Sequence, residues 1–330
     1  MKHDKSLTLP ARYRDYVFCA LAFLLTISGG CGGGDKGDTP DHGSEIIVEP
    51  NQQLSTAPHR FDIYRAVGAD KAIVFLHGGG GTKEYSAYQL GLKRTPDDSN
   101  YDVVNEQILL DNNAIVVFPQ GQAITDASTT TWSNYAMVSG QDDMQFIRDL
   151  VSYIATQYNV SKIYIVGHSM GGVMVNRIWC EAPELFDAFV SISGPPSVHF
   201  LDAETPCSPT QVRPFLSMVG AQDEVLQNDD WEAQTWTIDP LLTQGPAFVN
   251  PVLAGERYFL PTRVTRRCDG TVQPGDADAI TEGTLTTWSF CDNSIRLIRI
   301  ESAGHSLESL EDASGFSMME LAIDFINEPR

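Results

Sequence analysis

The segment KIYIVGHSMGGVMVNRIWC, residues 162–180, decides how the rest of this chain is interpreted. Residues 163–166 are β-branched or aromatic without a polar interruption, which predicts a buried strand. Apolar side chains then recur at helical spacing from Met174 to Trp179, which predicts a helix. Between the two stands G-H-S-M-G, and a G-x-S-x-G sequence between a strand and a helix is typical of a nucleophile elbow.

The elbow makes Ser169 a candidate nucleophile. Its turn is so sharp that the residues two before and two after the serine must lack side chains, and here they are Gly167 and Gly171. The same turn aims the backbone amide of Met170 at the space in front of the serine hydroxyl, so Met170 is a candidate oxyanion donor. A chance G-x-S-x-G in a strand–loop–helix unit would have the same sequence. Catalysis therefore requires two further residues.

The composition narrows the classes of function. The 330 residues include 43 acidic and 22 basic side chains, a formal charge of −21. This charge argues against binding to nucleic acid and to anionic membranes. It favours a soluble protein with neutral or carbohydrate-like substrates, or one that lives in salt. Since the sequence has no apolar run of 20 residues, we expect no helix that spans a membrane.

The first 44 residues predict export. Basic residues precede a short apolar run at 17–27, which is typical of an export signal over residues 1–31. Cys31 follows this run and is a candidate lipidation site, although Ser28 stands where lipoprotein signals usually carry an aliphatic residue. Simple secretion and an uncleaved anchor are the alternatives. Residues 32–44, rich in glycine and aspartate, predict a flexible tether to a secreted or membrane-anchored protein.

The remainder, residues 45–330, predicts one α/β domain. Strand and helix patterns alternate, which favours a mostly parallel sheet with helices on both faces. An amphipathic helix begins near Asp142 or Asp143, either of which is a candidate N-cap. A long excursion over about 224–267 is predicted to be a lid or acyl-pocket wall, or else an irregular surface segment. The predicted strands are 60–66 at an edge, 71–76, 114–118, 163–166, 189–193, 214–219 and 295–300.

Three of these strands are followed by residues that could take part in catalysis. The strand at 71–76 leads into HGGGG at 77–81, where glycines let a backbone amide approach a developing oxyanion. This loop lacks the Lys-Ser/Thr ending of a phosphate-binding P-loop. The strand at 214–219 leads to Asp223, and the last strand leads to Gly304 and His305. We expect Gly304 to leave the histidine loop free to swing its ring over the nucleophile.

The order Ser169, Asp223, His305 matches the chain order of a hydrolase triad on an α/β sheet. A serine hydroxyl is a poor nucleophile until a base takes its proton, and histidine, with an ordinary pKa of about 6.5, suits that task. An acid must hold the correct imidazole tautomer. Asp223 is the favoured acid, and the alternatives are Glu224, Asp229 and Asp230.

Several motifs of this chain together resemble those of an established family. They are HGGGG, FPQG at 118–121, Trp132, DD-x-x-F-I at 142–147, G-x-S-x-G and the late GH. They are similar to secreted α/β-hydrolase esterases, within them to the polyhydroxybutyrate depolymerase and feruloyl esterase family. The resemblance spans roughly residues 61–326. It implies the α/β-hydrolase fold, hydrolysis of acyl esters through an acyl-serine, and an oxyanion donor at Gly79 beside Met170.

The same resemblance implies an aromatic platform near the nucleophile, so Trp132 is a candidate substrate-binding residue. His168, beside the nucleophile, is a second candidate. The family often has L-S-N or M-S-x at the elbow, whereas this chain has H-S-M at 168–170. This departure leaves the acyl preference open.

The cysteines agree with export. Apart from Cys19 in the signal and Cys31, four remain, an even number that suggests two disulfides with three pairings. We favour Cys180–Cys207 and Cys268–Cys291, because each closes a moderate loop that flanks the triad. No Cys/His spacing typical of a metal site is present, and no cofactor is expected.

The sequence therefore predicts an exported serine esterase that acts on feruloyl, acetyl or hydroxyalkanoate (polyester) esters, small or polysaccharide-linked. Two alternatives remain open. A serine peptidase of the same fold would use the same triad. A surface lipoprotein that only binds glycan or polymer would need no reactive serine.

Overall fold

A ten-stranded sheet forms the centre of the computed structural model, which describes residues 46–123, 129–201, 207, 209–211, 213–225 and 280–329. The strands of this sheet are β1 Ile46–Gln53, β2 Arg60–Ala66, β3 Lys71–Leu76, β4 Ala114–Pro119, β7 Lys162–His168, β8 Ala188–Ile192, β9 Phe215–Gly220, β10 Ile280–Glu282, β11 Leu285–Phe290 and β12 Ile295–Ile300. Two short strands, β5 Gln122–Ala123 and β6 Thr130–Thr131, pair separately. The helices are α1 Lys83–Gln89, α2 Gln107–Leu110, α3 Asp143–Tyr158, α4 Met170–Glu181, α5 Leu307–Ser314 and α6 Met318–Asn327.

The strand order is β1-β2-β4-β3-β7-β8-β9-β12-β11-β10. From β4 to β12 all neighbours are parallel, while β1, β2, β11 and β10 pair antiparallel at the two sides. Every residue of β4, β8 and β9 is buried, as expected for parallel strands covered on both faces. The predicted α/β class with a mostly parallel sheet is confirmed.

Helices cover both faces of the sheet and form two apolar cores. Helices α3 and α4 pack on one face, where Phe146, Ile147 and Trp179 meet strand residues such as Ile165 and Phe215. Helices α1, α2, α5 and α6 supply the core of the other face. Successive strand residues alternate between the two cores because side chains point to opposite faces of a strand.

Several strands have the predicted bounds, and the edges differ. Strands β2, β3 and β12 begin and end at the predicted residues. The prediction that 60–66 lies at an edge is wrong, because β1 pairs outside it. Residues 46–53 gave no strand signal since Pro50 and a polar second half interrupt the pattern, and the pairing is irregular between Glu49 and Gln52.

Helix α3 begins with a side-chain cap. The Asp142 carboxylate accepts a hydrogen bond from the Gln145 amide at 3.0 Å, so Asp142 is the N-cap of the two predicted candidates. The next residue, Asp143, is completely buried and makes other contacts, described below.

A disulfide joins Cys180, in the last turn of α4, to Cys207, with 5.0 Å between the Cα atoms. This is one of the two predicted bridges. Cys291 is also disulfide-bonded, and its predicted partner Cys268 lies outside the described residues.

Other predictions concern the parts of the chain that are not described. The export signal at 1–31 with Cys31, the tether at 32–44 and nearly all of the excursion at 224–267 lie outside the described residues. Among the helices that are described, none is long and apolar enough to cross a membrane.

Candidate active site

Ser169 stands between the end of β7 and the start of α4. Its φ is 52° and its ψ −118°, a conformation that a residue with a side chain rarely adopts. Backbone hydrogen bonds hold it there: its amide donates to Ile192 O at 2.8 Å, and its carbonyl accepts from Val173 N at 2.9 Å. The predicted elbow is therefore present, with the hydroxyl at the carboxyl edge of the parallel strands.

The glycines of the elbow are required by close backbone approach. A Cβ atom on Gly167 would lie 2.4 Å from Gly171 O, and one on Gly171 would lie 2.2 Å from Leu76 O. Real Cβ atoms do not approach backbone atoms so closely, so any side chain at these positions would force the strand, the turn and β3 apart.

The imidazole of His305 links the serine to a carboxylate. Its Nε2 lies 2.9 Å from Ser169 Oγ, and its Nδ1 lies 2.8 Å from Asp223 Oδ2. Asp223 is completely buried and also accepts from Val225 N at 3.0 Å, whereas the His305 side chain is 15% exposed. The structure thus brings together the three side chains of the predicted triad, from loops that follow β7, β9 and β12.

The alternative acid Glu224 has a different contact. It is exposed, and its Oε2 accepts from the backbone amide of His305 at 3.2 Å. The side chain of Asp223, and not that of Glu224, therefore contacts the imidazole. Asp229 and Asp230 lie outside the described residues.

The loop that carries His305 is held at several points. Besides the bond to Glu224, the Gly304 amide donates to Ser309 Oγ at 2.7 Å. A Cβ atom on Gly220, at the end of β9, would lie 2.3 Å from the carbonyl oxygens of Ala303 and Gly304. The Gly304 backbone is therefore hydrogen-bonded and packed against β9, and the ring of His305 lies over Ser169. That the loop is free to swing stays a prediction.

The glycine loop after β3 lies against the elbow. A Cβ atom on Gly78 would lie 3.1 Å from Ser169 Cβ, and one on Gly79 would lie 3.1 Å from Met170 Cγ. Gly80 N donates to Thr130 O at 2.8 Å and Gly81 N to Gly78 O at 3.0 Å. In the described part of the chain, the amides of Gly79 and Met170 have no acceptor, so both candidate donors have a hydrogen bond to offer.

His77 fixes the base of this loop. The side chain is buried; its Nε2 accepts from Gly121 N at 2.8 Å, and its Nδ1 donates to Gly78 O at 2.6 Å. Burial lowers the pKa of His77 to about 4. The ring is therefore neutral at physiological pH, as this pair of contacts requires.

His168 contacts the triad histidine. Its Nε2 donates to His305 O at 3.0 Å, and the two ring centroids are 5.4 Å apart. Burial, as the larger cause, and the neighbouring His305, as the smaller one, together lower the pKa of His168 to about 4. The contact supports the histidine loop, and the substrate-binding role of the partly exposed ring stays a prediction.

Trp132 does not offer a face to a substrate. It is completely buried, and its indole Nε1 donates to His77 O at 2.9 Å. The prediction that Trp132 forms an aromatic platform is therefore wrong, because the packed interior surrounds the ring. Its contact instead holds the residue that precedes the glycine loop.

Sequence reasoning missed a buried polar cluster behind the site. His59 and Asp143 form a buried pair, with His59 Nε2 2.6 Å from Asp143 Oδ1. Asn134 is also completely buried and donates to Met170 O at 3.0 Å. The second aspartate of the DD pair could have indicated this cluster. A helix needs only one N-cap, so the other aspartate was available for a different contact. Within the described ranges, no three His, Cys, Asp or Glu side chains are arranged to hold a metal ion.

Comparisons with known proteins agree with this architecture. A family model described as alpha/beta hydrolase fold matches residues 119–259. The chain is 24% identical over 229 residues to the bifunctional acetylxylan esterase/xylanase of Neocallimastix patriciarum, which covers 67% of this chain and 29% of that protein. It is 28% identical over 144 residues to feruloyl esterase B of Piromyces equi, which covers 41% of this chain and 25% of that protein. The matches thus span less than a third of each relative.

A solved structure is also similar. The acetyl xylan esterase from Aspergillus awamori has a TM-score of 0.45 at 15% identity and covers 82% of this chain and 99% of that one. The predicted resemblance to feruloyl esterases is confirmed, and that to polyhydroxybutyrate depolymerases stays a prediction. The strand order, the elbow and the family match show that the chain has the α/β-hydrolase fold, and its sequence resembles those of acetylxylan and feruloyl esterases.

Proposed function

We propose that this protein is an exported serine carboxylic-ester hydrolase that acts through an acyl-serine intermediate. One observation carries the proposal: a continuous hydrogen-bonded line runs from Asp223 through His305 to Ser169, in front of two backbone amides that have no acceptor in the described chain. A module that only binds a ligand would have no use for this alignment.

In the first half of the reaction, the Ser169 hydroxyl attacks the carbonyl carbon of the ester. The proton passes to His305 Nε2, and the electron pair of the carbonyl moves onto its oxygen. The amides of Met170 and Gly79 donate to this oxyanion, where charge develops. Asp223 accepts from Nδ1–H and stabilises the imidazolium. When the intermediate collapses, the alkoxide leaves with the proton of His305 and the acyl-serine remains.

In the second half, a water molecule attacks the acyl carbon and gives its proton to His305 Nε2. A second oxyanion forms in the same place. Its collapse breaks the bond to Ser169 Oγ, which recovers the proton from the imidazolium, and the carboxylic acid leaves. The enzyme returns to its starting state with no external co-reactant other than water.

The substrates that we propose are acetyl, feruloyl or hydroxyalkanoate esters. The similarity to proteins named acetylxylan esterase and feruloyl esterase supports the first two acyl groups, and an alcohol that is part of a polysaccharide. The charge of −21 is compatible with neutral glycan and disfavours a polyanionic partner.

Export is supported by the sequence of residues 1–31 and by the disulfides, which persist in oxidising compartments. Cys31 is the residue at which a lipid anchor would be attached. Secretion without a lipid is the other form of the same proposal.

The function is tested with Ser169→Ala on p-nitrophenyl acetate and on a feruloyl ester. We expect kcat to fall by about 10⁴-fold or more, because no other group can form the acyl intermediate. The matched control is Ser152→Ala, which removes an exposed hydroxyl from α3 and should leave kcat unchanged.

A fluorophosphonate probe gives an independent measurement on the same proteins. It should label the wild type and Ser152→Ala and should not label Ser169→Ala. Ester turnover retained by Ser169→Ala, or an unlabelled wild type, would exclude the serine mechanism.

A further inference from the structure

The segment 131–139 contacts both halves of the oxyanion hole from behind. The indole of Trp132 donates to His77 O at 2.9 Å, next to the glycine loop that carries Gly79. The amide of Asn134 donates to Met170 O at 3.0 Å, the residue that supplies the other oxyanion donor. One short segment therefore binds the backbone on each side of the place where the oxyanion forms.

Asn134 is itself fixed on its other side. Its Oδ1 accepts from Ala136 N at 3.0 Å and from Met137 N at 2.8 Å, and the side chain is completely buried. A buried amide that uses both its donor and its acceptor has one favourable orientation, because turning it over would lose all these bonds. The position of Met170 O is thus coupled to the segment.

Asp143 anchors the segment to helix α3. Its Oδ2 accepts from Ser133 N at 2.5 Å and from Ser139 Oγ at 2.6 Å, while its Oδ1 is 2.6 Å from His59 Nε2. The His59 ring in turn stacks on Phe146, with 4.0 Å between centroids. Because Asp143 lies in the first turn of the helix, the helix dipole also favours its negative charge.

We propose that Trp132 and Asn134 are positioning residues for the oxyanion hole. They keep the two segments that carry the donor amides at the separation that the tetrahedral intermediate requires. Asp143, through Ser133 and Ser139, holds the segment from which both side chains project. The inference rests on the proposed function, since only a reaction that develops an oxyanion would depend on this separation. Displacements of about 0.5 Å already weaken such sites.

The chain offers a matched pair of tryptophans for the test. Trp132 and Trp179 are both completely buried, and each donates its indole N–H to a backbone carbonyl, Trp179 to Arg213 O at 3.0 Å. Replacing either by phenylalanine removes one such bond and a similar volume. Only Trp132→Phe removes a contact to His77, the residue that precedes the glycine loop.

For Trp132→Phe we expect kcat on p-nitrophenyl acetate to fall by about 10- to 100-fold, less than the loss of an entire oxyanion donor. The KM should change by less than about threefold, because the ground-state ester uses the hole weakly. For Trp179→Phe, kcat should stay within about threefold of the wild type. Urea unfolding of both variants shows whether their stabilities are comparable.

A trifluoromethyl ketone supplies a readout that lost stability would not move. Its hemiketal oxyanion occupies the hole, so its Ki should rise in Trp132→Phe by about the factor by which kcat/KM falls. The shape of the pH–rate profile should stay that of the wild type, because the acid and the base are untouched. Asn134→Asp, which keeps the acceptor and loses the donor to Met170 O, should also raise the Ki of the ketone.

Equal kcat losses in Trp132→Phe and Trp179→Phe, or an unchanged Ki in Trp132→Phe, would overturn the inference. A wild type that hydrolyses the ester while the two tryptophan variants behave alike would overturn this inference only. A wild type without ester turnover would overturn the proposed function as well. The two failures are therefore distinguishable in one set of measurements.

Discussion

At the scale of single residues, acidic side chains that are adjacent in sequence make different contacts. Asp223 is buried and contacts the imidazole of His305, whereas the exposed Glu224 contacts its backbone amide. In the same way, Asp142 caps helix α3 while Asp143 is buried behind the proposed oxyanion hole. In both pairs, burial and direction separate two carboxylates that are adjacent in sequence.

Asp223→Asn and Glu224→Gln test this division. An asparagine amide would donate to His305 Nδ1 and so place the ring proton on Nε2, which then cannot accept the proton of Ser169. We expect kcat to fall by about 10³- to 10⁴-fold in Asp223→Asn. In Glu224→Gln an amide oxygen can still accept from His305 N, and kcat should stay within about threefold.

Both variants should be compared on one chromogenic ester at pH 7.5, with circular dichroism to show that the fold is retained. A larger loss in Glu224→Gln than in Asp223→Asn would assign the orienting acid to Glu224.

At the scale of elements, each candidate catalytic group is carried by the connection that follows a parallel strand. Helix α4 has a special place among these, because Ser169 precedes its first turn and Cys180 lies in its last. The bridge to Cys207 therefore restrains the end of the helix opposite to Ser169. This arrangement should separate stability from catalysis.

Replacement of both Cys180 and Cys207 by alanine tests that separation. The bridge joins residues 27 positions apart, and the loss of its constraint on the unfolded chain should lower the free energy of unfolding by about 3 kcal/mol. At 20 °C, kcat should remain close to that of the wild type, because the nucleophile end of α4 keeps its contacts.

The midpoint of guanidinium unfolding measures the first effect and ester turnover the second. An unchanged midpoint would show that the bridge does not restrain the chain, and a large fall in kcat of the folded variant would show that the two ends of α4 are coupled.

At the scale of the whole molecule, buried neutral histidines make unfolding depend on pH. Burial lowers the pKa of His77 to about 4, while an unfolded histidine takes up a proton near pH 6.5. As the pH falls from about 6.5 to 4, the unfolded state binds the proton and the folded state does not, so stability falls. The full effect of His77 is about 3 kcal/mol, and His168 acts in the same direction.

We therefore expect the free energy of unfolding of the wild type to decrease between pH 7 and pH 4.5 more steeply than that of His77→Gln. Glutamine can replace both hydrogen bonds of the ring but does not titrate. Urea titrations at pH 7, 5.5 and 4.5 measure the two slopes. Equal slopes would contradict the assignment of this pH dependence to His77.

Much of this molecule follows from local sequence. The parallel strands were predictable because most of their residues are apolar, and each candidate catalytic residue follows one of them. Gly167 and Gly171 were predictable from the geometry of the turn alone. These features depend on neighbours in sequence, and the order of the strands then brings the residues together.

The supporting contacts could not be derived in the same way. His59 meets Asp143 across 84 positions, and Trp132 meets His77 across 55. A tryptophan in a polar loop has the same sequence pattern whether its ring is exposed or buried. Its burial depends on how β3 and α3 bring distant segments together, which no local pattern specifies.

The backbone of Ser169 has a consequence for how such a molecule can evolve. At φ 52° a glycine would have little backbone strain. The serine adds about 1–3 kcal/mol of strain that the surrounding contacts must offset. Selection for stability alone would favour glycine at this position and would remove the proposed nucleophile. Stability and the proposed turnover thus compete at a single residue, and substitutions that stabilise the protein have to be sought elsewhere in the chain.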